Sequence, residues 1–336
     1  MQDILVSKAE LEALIAKKFI EVQVNKKHAD IVAEILVHAD LRGVSSHGVL
    51  RTEHYVKRIM KGGMNPNPHF QIEKKGTAAI LFDGDHGLGH VITLQAMKEA
   101  ITLSKEHGIG IVVIKNSSHC GALSYYSMQA TKKETISIIM THTDSAVVPI
   151  GGKEAYFGTN PISFGFPANR HNPIILDMAT SNVSLGKVLH AQETGKEIPA
   201  DWGVDQNGYP VTNPNFVKYL LPMGGAKGYG LAMAIDLLTG VLTGARFGPS
   251  ITKMYGEYEK YRQLSHTIIT IDPSLFIDKN QFLRNVDQMI DELHAVKPME
   301  GFNSVMVPGE PEQLKEKERL KNGIPVPERI YNYLRS

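Results

Sequence analysis

The stretch GIGIVVIKNSSHCGALSYYSMQA, Gly108 to Ala130, decides the fold. Ile109 to Ile114 is a short β-branched apolar run, the pattern of a buried strand. Lys115-Asn116-Ser117-Ser118 interrupts it with turn formers. From Gly121 to Ala130 the apolar residues fall three and four apart, which predicts a helix. His119 therefore stands at a strand-to-helix junction, where α/β enzymes place chemistry. Its small neighbours, Ser118, Cys120 and Gly121, leave room beside a ring whose ordinary pKa suits proton transfer near neutral pH. The local residues alone slightly favour a plainer reading, a loop histidine bonded to nearby backbone.

Working outward, 336 residues are enough for one large or two ordinary domains, and 42 % hydrophobic residues are typical of a globular chain. Lys and Arg number 36 against 35 Asp and Glu, so no nucleic acid or anionic membrane is expected as a partner. The single cysteine, Cys120, excludes an internal disulfide and fits a reducing compartment. The opening MQDILVSKAELEALIAKK has early acids and no apolar signal-peptide core, and no run approaches transmembrane length, so a cytoplasmic protein is expected.

Upstream, Ser7 and Glu10 match a capping box ahead of Leu11, Leu14, Ile15 and Phe19 at helical spacing. A second helix presents Ile31, Val32, Ile35, Leu36 and Ala39, and a third begins near Val49. The breaker cluster Gly62-Gly63-Met-Asn-Pro-Asn-Pro68 closes an all-helical opening unit. Strands are then predicted over 70–73, 78–83, 136–142, 174–176 and 267–271, alternating with helices over 91–107, from about 231, and over 282–295. This pattern predicts a sheet domain of α/β (α+β) type. Neither Gly84-Asp-His-Gly87-Leu-Gly89 nor Gly224-Gly-Ala-Lys227-Gly-Tyr-Gly230 is a Rossmann fingerprint or a Walker A loop. The apolar helix after Lys227 reads as core, and 312–320 as a solvated helix.

Several chemistries fall away. One cysteine excludes a thiolate cluster and no His-Glu-x-x-His occurs, so no bound metal is expected. A Gly-x-Ser-x-Gly elbow is missing. Cys120 beside His119 reads as a small packed residue. What remains is a set of glycine-flanked polar islands at strand ends and helix starts: Ser46-His47, Ser118-His119, Thr143-Asp144, Asp177-Met178-Ala179, Lys227 and Gly309-Glu310. Free amides at such helix starts suit phosphates. Arg51, one helical turn after His47, suits a carboxylate or an oxyanion, and Tyr55 continues that line. An ordinary exposed helix face is the alternative for Arg51 and Tyr55.

Taken in order, ADLRGVSSHGVLR (39–51), NSSHCG (116–121), YFGTNPISFGFP (156–167), ILDMATS (175–181), GGAKGYGLAMAIDLLTGVLTG (224–244) and VPGE (307–310) resemble the malate/L-lactate dehydrogenase family that lacks the Rossmann fold. The resemblance covers nearly the whole chain. It implies a helical domain (1–70, completed by about 228–262) and a cofactor domain on a mostly antiparallel sheet (71–227 with about 263–336). It also implies a homodimer and a small-molecule substrate. His119 matches the family's catalytic histidine, and Ser46, His47, Arg51 and Tyr55 the substrate side. Thr143, Asp177, Met178, Ala179, Lys227, Gly309 and Glu310 match positions contacting a nicotinamide dinucleotide. The branch acting on a ureido-substituted 2-hydroxy acid with NAD is the most similar, with NADP open. Siblings acting on L-lactate, L-malate, L-sulfolactate or a keto-sugar acid are alternatives. A non-catalytic binding protein would require loss of the proton-transfer histidine, and His119 is present.

Overall fold

The computed structural model describes residues 3–336. In chain order the elements are β1 (Asp3–Val6), α1 (Lys8–Glu21), α2 (Lys26–Leu41), α3 (Thr52–Met60), β2 (Gln71–Lys74), β3 (Ala79–Asp83), α4 (Gly89–His107), β4 (Ile109–Ser117), α5 (Ser124–Thr131), β5 (Ile136–Thr141), β6 (Ile162–Phe166), β7 (Ile174–Met178), α6 (Leu185–Thr194), β8 (Gly203–Val204), β9 (Tyr219–Leu220), α7 (Ala226–Asp236), β10 (Leu264–Ile271), α8 (Lys279–Ala295), α9 (Glu310–Asn322), β11 (Ile324–Pro327) and α10 (Glu328–Arg335).

Ser7 starts α1 by accepting the Glu10 amide at 3.3 Å, and Asn25 starts α2 by accepting that of His28 at 3.0 Å. Leu11, Ile15 and Phe19 of α1 then bury against Val32 and Leu36 of α2. The same core takes in Ile324, Val326, Ile330 and Leu334, because β1 pairs antiparallel with β11 and α10 follows it. The end of the chain thus joins the helical unit, not the sheet with which 263–336 were grouped. Pairing across more than 300 residues leaves no local signature, and Asp3–Val6 is too short to announce itself as a strand.

The main sheet has seven strands in the order β2-β3-β4-β10-β5-β6-β7. Every pair is antiparallel except β3–β4, as expected for a fold that is not a Rossmann fold. Val112 and Ile114 of β4, Ile139 of β5 and Ile268 of β10 bury against Ile92 and Met97 of α4 and Tyr126 of α5. Ile35 of α2 enters this second core while its neighbour Leu36 enters the first, so α2 welds sheet to helical unit.

The helix after Lys227 differs from expectation. Ile235 of α7 packs on Met140 and Ile162 of the sheet, not back on the N-terminal helices. Past Asp236 it widens into a π-turn, Leu237–Val241, and Leu238 and Leu242 are exposed rather than core. Residues 252–262 do reach the helical unit: Arg58 of α3 donates to the carbonyls of Lys253, Met254, Glu257 and Lys260.

Candidate active site

β4 delivers His119 just past its end. Ser118 fixes the turn, donating to the Gly87 carbonyl at 2.8 Å and accepting the Gly89 amide at 2.9 Å. Gly121 follows with φ +77°, a conformation that favours glycine. The His119 ring is placed by two donors on one nitrogen. Nδ1 receives the Gly121 amide at 3.2 Å and lies 2.6 Å from the Tyr55 hydroxyl. An amide can only donate, so Nδ1 carries its lone pair and the neutral ring holds its proton on Nε2. Nε2 makes no hydrogen bond among the described residues.

The turn between α2 and α3 supplies the opposite wall. Asp40, buried at the end of α2, accepts the Val49 amide at 2.7 Å, and Gly48 has no room for a side chain against that carboxylate. The turn this holds contains Ser46, His47 and Arg51. Ser46 Oγ lies 2.9 Å from His47 Nδ1, and the Ser46 carbonyl accepts Arg51 Nε at 2.6 Å. The His47 ring stacks on His119 with centroids 5.4 Å apart.

Burial, with Arg51 close by, lowers the His47 pKa to about 4. Burial also pushes His119 well below its ordinary value, helped by His47, Arg51, His90 and Arg262. Both rings are neutral at physiological pH, as a proton acceptor must be. Tyr55 is buried, 1 % exposed, with its hydroxyl on His119, so within the chain it backs the histidine.

The remaining candidates form a second, connected rim. Thr143, just past β5, donates its amide to Asn160 Oδ1 at 3.1 Å, and its hydroxyl accepts the Thr159 amide at 3.0 Å. The Thr159 carbonyl takes the Thr180 amide at 2.8 Å, and the Thr180 carbonyl takes that of Met223 at 2.9 Å. Gly228 of α7 then bonds back to the Met223 carbonyl at 2.9 Å. Thr143, the end of β7 with Met178 and Ala179, and the start of α7 with Lys227 thereby become neighbours. The turn before α9 docks alongside, the Ile175 amide reaching the Pro308 carbonyl at 3.1 Å. Gly309 lies there at φ +96°, packed against Ile175.

Two carboxylates on this rim already have partners. Asp177 accepts the Ser124 amide at 2.7 Å and so caps α5. Glu310 lies 2.8 Å from His294 Nε2 and accepts the Val307 amide at 2.9 Å. Lys227 is different: it is exposed in the first turn of α7, behind Gly224 and Gly225, both at positive φ with open space beside them. That helix start has no side-chain cap. Free amides, a helix dipole and an ammonium together suit a diphosphate, so the donors here fit a dinucleotide.

Sequence reading missed three buried side chains. Arg42 bridges the two rims, donating to the Gly309 carbonyl at 3.2 Å and to Glu316 at 2.9 Å. Asp40 sits with it inside the motif at 39–51, the only signal it offered. Arg262, paired with Asp144, carries no local signature at all. His86 and His90 stand four apart, but His86 stacks on Tyr261 at 4.0 Å and His90 is buried against Tyr55. Among the described residues no three His, Cys, Asp or Glu gather as a metal site.

The family model for malate/L-lactate dehydrogenase matches residues 6–335. The chain belongs to that family. A ureidoglycolate dehydrogenase (NAD(+)) of Escherichia coli strain K12 is 40 % identical over 329 residues, 98 % of this chain and 94 % of that one. An L-sulfolactate dehydrogenase of Methanocaldococcus jannaschii is 38 % identical, over 96 % of this chain and 92 % of its own. The solved sulfolactate dehydrogenase structure from that organism superimposes with a TM-score of 0.93, covering 98 % of this chain and 95 % of its own at 36 % identity. A malate dehydrogenase structure from Entamoeba histolytica also gives 0.93, at 30 % identity, covering 99 % and 97 %. The family's dehydrogenase chemistry thus sits on a fold shared almost end to end.

Proposed function

We propose that this dehydrogenase oxidises (S)-ureidoglycolate to oxalurate with NAD, His119 being the general base. The observation that carries this is the neutral imidazole of His119, held by Tyr55 beside Arg51, in a chain 40 % identical to a ureidoglycolate dehydrogenase (NAD(+)). Such a step belongs to allantoin and purine breakdown, in the cytoplasm; among the described residues no helix is long and apolar enough to cross a membrane.

The substrate carbon bears a hydroxyl, a hydrogen, a ureido nitrogen and a carboxylate. Oxidation takes the hydrogen as hydride and the hydroxyl proton to a base. Lys227 and Gly309 would hold a nicotinamide dinucleotide, which would supply the hydride acceptor. The chain's own groups do the rest. Arg51 offers its guanidinium to the carboxylate, a planar charge-assisted match. His47 and His119 flank the reacting oxygen.

Tyr55 sets which nitrogen of His119 is free, because a hydroxyl can donate or accept. As donor it leaves Nε2 protonated, suited to hydrogen-bonding a keto oxygen. Turned to accept, after the ring exchanges its proton with water and gives up its 3.2 Å contact with the Gly121 amide, it holds Nδ1–H and bares Nε2 for the substrate's proton. The same contact then steadies the imidazolium that forms.

The exposed Leu237, Leu238, Val241 and Leu242 after α7 make an apolar face that a second copy would cover, in a homodimer. A panel of 2-hydroxy acids followed by NADH absorbance tests the substrate. Ureidoglycolate should give the highest kcat/KM. Malate or sulfolactate ahead of it would assign the chain to a sibling activity, which its 38 % identical relative represents. NADP in place of NAD as the better acceptor would correct the cofactor.

A further inference from the structure

The segment from Thr252 to Arg262 has no helix or strand, yet two buried arginines tie it down. Arg58 of α3 wraps it from one side, its guanidinium donating to four carbonyls at 2.8 to 3.2 Å. Burial lowers the Arg58 pKa to about 10, so it stays cationic at neutral pH. Gly63 packs against the Tyr258 and Lys260 carbonyls with no space for a side chain, and the Tyr258 ring has Lys57 Nζ 4.4 Å from its centroid. Arg262 holds the other side. It pairs with Asp144 and donates to the Thr252 carbonyl at 3.2 Å, while Asp144 accepts the Met254 amide at 3.1 Å.

Between these anchors one side chain reaches the substrate wall. The Tyr255 hydroxyl accepts Arg51 Nη1, and its ring meets His54 edge-on at 5.1 Å. Arg51 is thus held twice, by Tyr255 at Nη1 and by the Ser46 carbonyl at Nε, while Nη2 has no partner among the described residues. A long arginine otherwise samples many rotamers, and binding must order it.

We infer that Tyr255 is a positioning residue that presets Arg51 for a substrate carboxylate, and that the strap 252–262, locked by Arg58, is the part that holds Tyr255 there. The inference rests on Arg51 being the carboxylate site.

The test measures KM and kcat with the best acid of the panel, and NADH affinity by fluorescence, in Tyr255→Phe, Arg58→Lys and Arg51→Ala. Losing an acceptor on a charged donor should raise KM about 10-fold in Tyr255→Phe, with kcat and NADH affinity within about 2-fold. Lysine cannot span four carbonyls, so Arg58→Lys should raise KM likewise, and adding Tyr255→Phe to it should cost little more. An unchanged KM in Tyr255→Phe, while Arg51→Ala raises it, overturns the strap's role alone. An unchanged KM in Arg51→Ala overturns the carboxylate reading itself. A fall in kcat at constant KM, or equal loss of NADH affinity, would make the strap merely structural.

Discussion

The two rims of the site are built on opposite plans. On the His119 side, the candidate groups are mostly side chains that hold one another: Tyr55 on His119, His47 stacked on it and Ser46 Oγ on His47, with the Ser46 carbonyl holding Arg51. On the Lys227 side the contacts are mostly backbone, through Thr159, Thr180 and Met223, and the exposed ammonium of Lys227 stands apart. The first plan suits the proposed proton transfer, in which a ring must be held within tenths of an ångström of a reacting atom. The second would suit the proposed dinucleotide, a flexible and highly charged ligand for which a helix start matters more than any one side chain. Chemistry should therefore be brittle on one rim and tolerant on the other.

The largest expected effect tests the brittle rim. His119→Ala should lower kcat by on the order of 10²–10⁴-fold, the range for a positioned acid–base group, with NADH binding retained. Equal loss of both would place the ring in the scaffold instead. On the tolerant rim, Lys227→Ala should weaken NADH binding by about 10- to 100-fold, as expected for a charge-assisted contact, and leave KM for the acid nearly unchanged. Unaltered NADH affinity would take Lys227 out of the site. Tyr55→Phe probes how one side chain sets another. It keeps the ring's packing and removes the hydroxyl, so kcat should fall about 10-fold with little change in KM. A rise in KM at constant kcat would place Tyr55 on the substrate face. Glu310→Gln should change NADH affinity by less than about 3-fold, because that carboxylate already serves His294 and the Val307 amide. A loss as large as that of Lys227→Ala would show that the two rims are not so different.

The brittle rim was also the more legible in sequence. His119 at the end of a β-branched run and Arg51 one turn after His47 are local patterns, and local patterns survive translation into structure. The antiparallel sheet followed from resemblance, since strand order has no local signature. Tyr55 was placed on the right helix without its contact to His119, because spacing sets a helix face and not what lies across it. Arg262, Tyr255 and the β1–β11 pairing went unseen for one reason: each depends on segments more than a hundred residues apart. Leu238 and Leu242 misled in the opposite direction, apolar residues at helical spacing that the single chain leaves exposed.

The smallest effect expected of the brittle rim is none at all. A base works when deprotonated, so activity is present above its folded pKa and lost as pH falls through it. For His119 that value lies well below the ordinary 6.5, because burial and nearby His47 and Arg51 oppose the charge. kcat/KM should then be flat from about pH 6.5 to 8, where a solvated histidine would show a rising limb. Acid should act on the fold before it acts on the base. His47 titrates at about 4 and His54 and His90 at about 3 in the folded chain, against 6.5 unfolded. Below pH 6.5 the unfolded chain therefore binds protons that the folded one refuses, and stability falls as pH drops toward 4. Asp40 and Asp177, raised by burial to about 7 and about 6, work against this, but His38 and His266, lowered to about 3, add to the histidines and keep the balance. Melting temperature and activity should decline together in acid. An activity limb centred near pH 6.5 in a chain whose melting temperature has not moved would mean that the imidazole is wet, and the two rims alike.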